Sequence, residues 1–166
     1  MKTITSPLLT QVLIIAHHEI GVVETPPGSN SGPVVNQYLN SVKLKPGAPW
    51  CAAFVYWCFE QASTRLNRIN PLPRSGSCLY HWRKTKGSRI TAAEAIGNPS
   101  LIEPGCVFII NLGKGKGHMG IVVSVQDGCI HTIEGNTNTS HSANGIGVFA
   151  LERKIGSITG GFIKYC

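Results

Sequence analysis

Apolar positions recur with a helical period at the start of the chain. After Ser6-Pro7, residues Leu9, Val12, Leu13, Ala16 and Ile20 fall on one face until Gly21 interrupts it. Ser6 is a side-chain cap and Pro7 stands where a first turn tolerates a missing N–H, so an amphipathic helix is predicted over 6–20. The polar run 24–32, Glu-Thr-Pro-Pro-Gly-Ser-Asn-Ser-Gly, is turn chemistry and predicts a surface loop. A short helix over 33–39 follows, turning Val34, Val35, Tyr38 and Leu39 inward. Pro46-Gly47-Ala48-Pro49 then breaks the chain, and 50–64 is apolar nearly all round, which predicts a helix in the middle of the fold.

Residues 65–100 are rich in Arg, Lys, Asn, Ser and Pro and suggest only a short helix over 77–84. Beyond them the period changes to that of extended chain. Strands are predicted over 106–110, 118–125, 128–134, 147–151 and 161–165, with Gln126-Asp127-Gly128 as the hairpin turn between the second and third. Helices first and an antiparallel meander afterwards make the class α+β, with N-terminal helices packed on a sheet of five to six strands. With 166 residues, no internal repeat and no linker, 1–166 is expected to form a single domain without a separate binding module.

The chain is 42% hydrophobic and only 14% charged, which excludes intrinsic disorder and a coiled coil. Fifteen Lys and Arg against eight Asp and Glu leave a net charge of +7, which predicts attraction to a polyanion: nucleic acid, anionic lipid or an anionic wall polymer. The apolar stretch 8–16 is interrupted by Thr10 and Gln11 and runs into His17-His18-Glu19. It is too short to span a bilayer and lacks a small-residue cleavage site, so neither a transmembrane segment nor a signal peptide is expected, and synthesis is expected in the cytoplasm. Free thiols are then the default for Cys51, Cys58, Cys78, Cys106, Cys129 and Cys166, although work in the periplasm would allow a disulfide among the last five. None forms a CxxC pair, which disfavours a zinc ribbon.

Cys51 falls in the first turn of the most hydrophobic helix, where unpaired backbone N–H groups and the helix dipole favour a thiolate. A cysteine in an apolar helix is ordinarily a core filler, as Cys58 illustrates. A thiol nucleophile also needs a base, and the base needs an orienting group. His118 opens its strand after the glycine-rich stretch 113–117. Counting back from the Asp127-Gly128 turn places Glu134 and Asn136 within a diagonal of His118, and a three-residue turn would place Glu134 opposite it. His17, His18, His81, His131 and His141 are the competing histidines; His17 and His18 lie on an exposed helix face and His131 points away from Glu134.

Pro-Trp-Cys-Ala-Ala-Phe-Val at 49–55, Gly-His-Met-Gly-Ile-Val at 117–122 and Glu-Gly-Asn-Thr-Asn at 134–138, with Glu-Ile-Gly-Val and Gly-Ser-Asn-Ser-Gly upstream, resemble the CHAP domain, the cysteine, histidine-dependent amidohydrolase/peptidase family of peptidoglycan hydrolases. The resemblance covers about residues 16–165 and implies a papain-like α+β fold. It implies Cys51 as nucleophile, His118 as general base and then acid, Glu134 as orienter of the imidazole and Asn136 as a supporting polar group. By that mechanism the thiolate attacks an amide carbonyl, the Cys51 backbone N–H helps hold the oxyanion, His118 protonates the leaving amine, and water releases the acyl group. Gln37, Tyr38 and Asn30 are upstream candidates for a second oxyanion donor. No cofactor or metal is expected: the calcium-binding loop of some relatives corresponds to 25–32, which holds no Asp or Glu.

The substrate so implied is peptidoglycan, cut either at the N-acetylmuramoyl-L-alanine bond or within the stem peptide or cross-bridge. Two routes to the wall are expected for such a protein: release through a phage holin, or injection by a secretion system, the latter with an immunity protein that plugs the cleft. Three alternatives stand beside it. An NlpC-type cysteine endopeptidase would use a second histidine as the third group, which His131 fits less well than Glu134 fits its own place. A nucleic-acid module is suggested by Tyr80 and Trp82 among Arg83, Lys84 and Lys86, without any groove-reading spacing, and nucleic acid is not expected as a partner. A silent wall-binding protein would have no use for Cys51, His118, Glu134 and Asn136 together.

Overall fold

The computed structural model describes residues 6–141 and 145–165. Its helices are α1 (Pro7–His18), α2 (Val35–Ser41), α3 (Cys51–Arg65), α4 (Cys78–Lys84) and α5 (Ala92–Gly97); its strands are β1 (Ser88–Ile90), β2 (Val107–Gly113), β3 (Lys116–Gln126), β4 (Cys129–Thr137), β5 (Gly147–Lys154) and β6 (Gly161–Lys164). The class is α+β, as the pattern indicates. No helix among the described residues is long and apolar enough to cross a membrane.

The sheet runs β1-β6-β2-β3-β4-β5, antiparallel throughout. Only β2 to β5 form the expected meander. The last strand returns to the other side of β2, and β1, which the sequence pattern left unassigned, closes the edge against it. The stretch 65–100 hides another element in α5, whose start Thr91-Ala-Ala-Glu94 is a complete capping box: the Thr91 hydroxyl accepts from the Glu94 N–H and the Glu94 carboxylate from the Thr91 N–H. That signature is legible in the sequence and was obscured by the polar residues around it.

Alternation along the strands divides the interior. Val107, Ile109, Met119, Ile121, Ile133 and Ile163 pack under α1, α2 and α3 in the larger core. Phe108, Val122, Ile130 and Phe162 face the opposite way, into a smaller core closed by Ile102, Ile155 and Ile158. α1 buries Leu8, Leu9, Val12, Leu13, Ile15 and Ala16, but the helix stops at His18, so Ile20 lies beyond it and is 39% exposed. α3 is buried along most of its length, with Phe54, Val55, Cys58 and Phe59 fully enclosed.

In the loop 24–32, residues 25–28 are exposed, 29–31 are half-buried and the two ends are buried. Glu24, expected at the surface, is buried at 2% exposure because its carboxylate takes two hydrogen bonds, from Trp50 Nε1 at 2.8 Å and from the Asn30 N–H at 3.0 Å. A carboxylate so paired loses little on leaving water, and here it ties the loop to the residue before α3.

Candidate active site

α3 begins directly after a Pro-rich turn, so Cys51 is its first residue. Trp50 precedes it as the N-cap without any side-chain capping bond; it is held from outside by Glu24, by the stacked ring of Tyr38 at 5.6 Å and by Asn136. The start of α3 presses on β4 where the strand carries Gly135. A methyl group there would stand 2.7 Å from Phe54 Cβ and 2.8 Å from the Trp50 ring. Glycine at 135 is what lets the helix start approach the strand.

Opposite the helix start, β3 brings up His118. The two-residue turn at Asp127-Gly128 has both residues at positive φ, 49° and 75°, and pairs Gln126 with Cys129. The register passes a bulge and then pairs Ile121 with Ile133, so His118 and Glu134 stand on the diagonal that counting from the turn anticipates. His118 Nε2 donates to Glu134 Oε2 at 2.7 Å, and the two side chains are 1% and 0% exposed. Gly120 faces this pair; a Cβ there would collide with Glu134 Cγ at 2.8 Å and with the Phe108 ring at 2.7 Å.

Glu134 has more partners than the sequence suggests. Arg153 of β5 donates from Nε to Oε1 and from Nη2 to Oε2, both at 2.7 Å, and Thr132 donates to Oε1 at 2.6 Å. Burial opposes ionisation, yet Arg153 and His118 outweigh it and carry the Glu134 carboxyl down to about 2. Because Nε2 is committed to Glu134, His118 is left with Nδ1, which is buried and makes no hydrogen bond, and is the ring nitrogen free to exchange a proton with a neighbouring group. Burial lowers the basicity of the imidazole, but interaction with Cys51 and Glu134 raises it to about 9.

The Cys51 thiol is correspondingly acidic. The Cys78 thiol, with Sγ atoms 3.5 Å apart, is the largest cause, acting against burial; His118 and the Ala52 N–H add to it, and Cys51 falls well below the usual thiol range. Cys78 is pushed well above it by its bond to Cys51, by burial and by the charge beside it. The resting site is therefore a thiolate, an imidazolium, a carboxylate and a guanidinium in alternating charge. Such an ion pair supplies a nucleophile and a proton donor already in their reactive forms.

Asn136 takes a different place. The ladder shifts between Glu134 and Thr137, and Asn136 adopts φ 56°, which turns its side chain out of strand alternation. Its amide oxygen accepts from the Trp50 N–H at 3.2 Å, while its nitrogen donates to Asn30 Oδ1 at 3.2 Å and to the Gly145 carbonyl at 3.0 Å. It anchors the helix start and makes no hydrogen bond to the imidazole. Asn30 takes part in that anchor, Tyr38 donates its hydroxyl to Glu19, and Gln37 is exposed.

The other histidines lie elsewhere or are occupied. His17 and His18 are exposed, His131 meets Glu152 at 3.6 Å on the open side of β4, and His141 bonds the Glu152 carbonyl. His81 is fully buried on α4 with Nε2 2.7 Å from the Ser75 carbonyl, and burial keeps it neutral by lowering its pKa. Among the described residues no group of three or more His, Cys, Asp and Glu side chains could hold a metal ion.

Sequence reasoning missed Arg153, Thr132 and Cys78. Thr132 was legible, two residues before Glu134 on the same face of β4. Arg153 and Cys78 reach the site through the pairing of β5 and the docking of α4, neither of which local pattern encodes.

Comparison with known families places a CHAP domain match over residues 43–136, more than half of the chain and inclusive of Cys51, Cys78, His118 and Glu134. No curated protein matches the chain.

Proposed function

Given that this chain belongs to the CHAP domain family of peptidoglycan amidohydrolases and peptidases, we propose that Cys51 is its nucleophile, His118 its general base and acid, and Glu134 the group that orients and charges the imidazole. The observation that carries this is the buried hydrogen-bonded line from His118 through Glu134 to Arg153, with the Cys51 thiol made acidic under the influence of that imidazole. The Cys51 thiolate adds to an amide carbonyl of peptidoglycan, forming the S–C bond. The oxyanion meets the Cys51 N–H, which stands in the first helical turn, where N–H groups have no intrahelical partner. His118 gives its Nδ1 proton to the leaving amine as the C–N bond breaks. It then takes a proton from water, whose oxygen displaces Cys51 from the thioester.

Asn136 is a positioning residue in this scheme, fixing the backbone of Trp50 and hence the start of α3. The bond cut is an amide of the stem peptide, its cross-bridge or its link to muramic acid. Charge supports an anionic wall as the working surface: nine of the fifteen cations lie between residues 43 and 89, where Glu60 is the sole acid. Delivery through a phage holin or a secretion system, with a protein that plugs the cleft protecting the producer in the second case, belongs to the same proposal. Failure of co-expressed neighbouring gene products to form any tight complex would remove the protecting protein.

The test is release of soluble muropeptides from purified sacculi by the wild type and by Cys51→Ala. Release by the wild type alone supports the mechanism, and mass spectrometry of the new termini names the bond. Equal release by both variants, or by neither, overturns it.

A further inference from the structure

The first residues of α3 and α4 bring together two sulfur atoms, and the mechanism uses only one as nucleophile. Cys51 and Cys78 each open a helix, their Sγ atoms are 3.5 Å apart, and each side chain keeps 5% of its surface exposed. A disulfide requires about 2.05 Å between sulfurs, so a shift of about 1.5 Å, within reach of side-chain rotation, would join them. Cys58 and Cys106 are fully buried, and Cys129 is at the far end of β4. Cys166 lies outside the described residues.

We propose that Cys51 and Cys78 constitute a reversible oxidation site whose co-substrate is a peroxide, Cys51 being the sulfur oxidised first and Cys78 the one that resolves it. The two thiols are unlike in the way this division of labour needs, since Cys51 is held as thiolate and Cys78 as neutral thiol. In the first step the Cys51 thiolate attacks one peroxide oxygen. The S–O bond forms, the O–O bond breaks, and the departing hydroxide takes the His118 Nδ1 proton to become water. In the second step Cys78 sulfur attacks Cys51 sulfur, the S–S bond forms and the S–O bond breaks. The hydroxide that leaves takes up the proton of Cys78 as a second water. Both sulfurs are oxidised by one electron each, and the two peroxide oxygens are reduced to water.

The disulfide removes the thiolate from the site, and a dithiol reductant restores it by exchange. Only this consequence for activity rests on the proposed function; formation of the bond does not. Cys78 also protects Cys51, because a sulfenic acid with a resolving thiol at hand is diverted from the irreversible sulfinic state.

The experiment treats the full chain with hydrogen peroxide, caps remaining thiols under denaturing conditions and maps peptides without reduction. The expected result is a peptide pair linked through Cys51 and Cys78, together with loss of muropeptide release that dithiothreitol returns. In Cys78→Ser the same treatment leaves a loss that dithiothreitol does not return, measured against that variant's own untreated rate. Cys51 recovered from the wild type as sulfinic acid, or linked to another cysteine with Cys78 capped, overturns the proposal. Should Cys78→Ser fail to fold, as thermal unfolding would reveal, the wild-type map alone decides. Should the reduced wild type release no muropeptide, the hydrolase function is wrong, and the linked peptide still decides for or against the disulfide.

Discussion

Arg153 closes on both oxygens of Glu134, each at 2.7 Å, while His118 reaches one of those oxygens from the other side. A fully buried carboxylate is thereby shared between two cations, one fixed and one able to release its proton. The fixed cation makes burial of the carboxylate tolerable, and the carboxylate in turn keeps the imidazole charged beside the thiolate.

Glu134→Gln keeps the shape and removes the charge. The imidazole then loses an opposing charge that raises it to about 9, and His118 falls toward its ordinary range. Activity in the wild type is expected to hold through neutral pH and decline as pH rises through about 9, when the imidazolium loses the proton due to the leaving amine. In Glu134→Gln that decline moves to lower pH, and kcat drops by ~10²–10⁴, the range general acid–base catalysis supplies. A pH–rate profile of both proteins checks this, and an unmoved alkaline limb would count against it.

Arg153→Leu leaves Glu134 buried with only His118 and Thr132 to hold it. The expected loss is about 3 kcal/mol, at the lower end for removing one partner of a buried ion pair. Because the carboxyl is depressed to about 2 in the folded protein, its pairing contributes stability above the ordinary carboxylate range and loses it as pH falls through about 2. Removing Arg153 raises that value, so acid unfolding starts at higher pH. Denaturant titrations at neutral and acid pH measure both effects.

Cys78→Ala deletes the largest single influence that lowers Cys51. The pH at which Cys51 becomes reactive toward iodoacetamide is expected to shift upward, and muropeptide release at neutral pH to fall with it. Cys78→Ser retains a donor and should recover part of the shift. Peptide-resolved alkylation rates across pH distinguish this from a purely structural role, which would leave the reactivity midpoint in place.

Gly135→Ala drives a methyl group into Phe54 and the Trp50 ring. Overpacking of this kind costs about 1–3 kcal/mol, and here relief requires the start of α3 to move, taking Cys51 away from His118. Gly156→Ala, with nothing within 4 Å, is the matched control expected to leave both stability and activity unchanged. Thermal melts paired with activity separate the two substitutions.

What was legible in the sequence depended on local rules. The start of α3 at Cys51 follows from a breaker cluster against an apolar run, and the diagonal of His118 and Glu134 from counting in twos from an Asp-Gly turn. Counting fails two residues later, because a register shift and a positive φ turn Asn136 toward Trp50. The partners of Glu134 and Cys51 from farther along the chain, Arg153 and Cys78, depend on which strand lies beside β4 and where α4 docks. The return of β6 to the far side of β2, where it lies between β1 and β2, has the same origin: strand pairing over long separations leaves no periodic trace.

The central claim is that Cys51 carries the acyl group during turnover. Quenching the enzyme on muropeptide substrate and weighing the intact protein tests it most directly. An adduct with the mass of the acyl portion, mapped to the Cys51 peptide and missing from Cys51→Ala, is the result expected. Hydrolysis by Cys51→Ala at the wild-type rate, or an adduct on another residue, would contradict it.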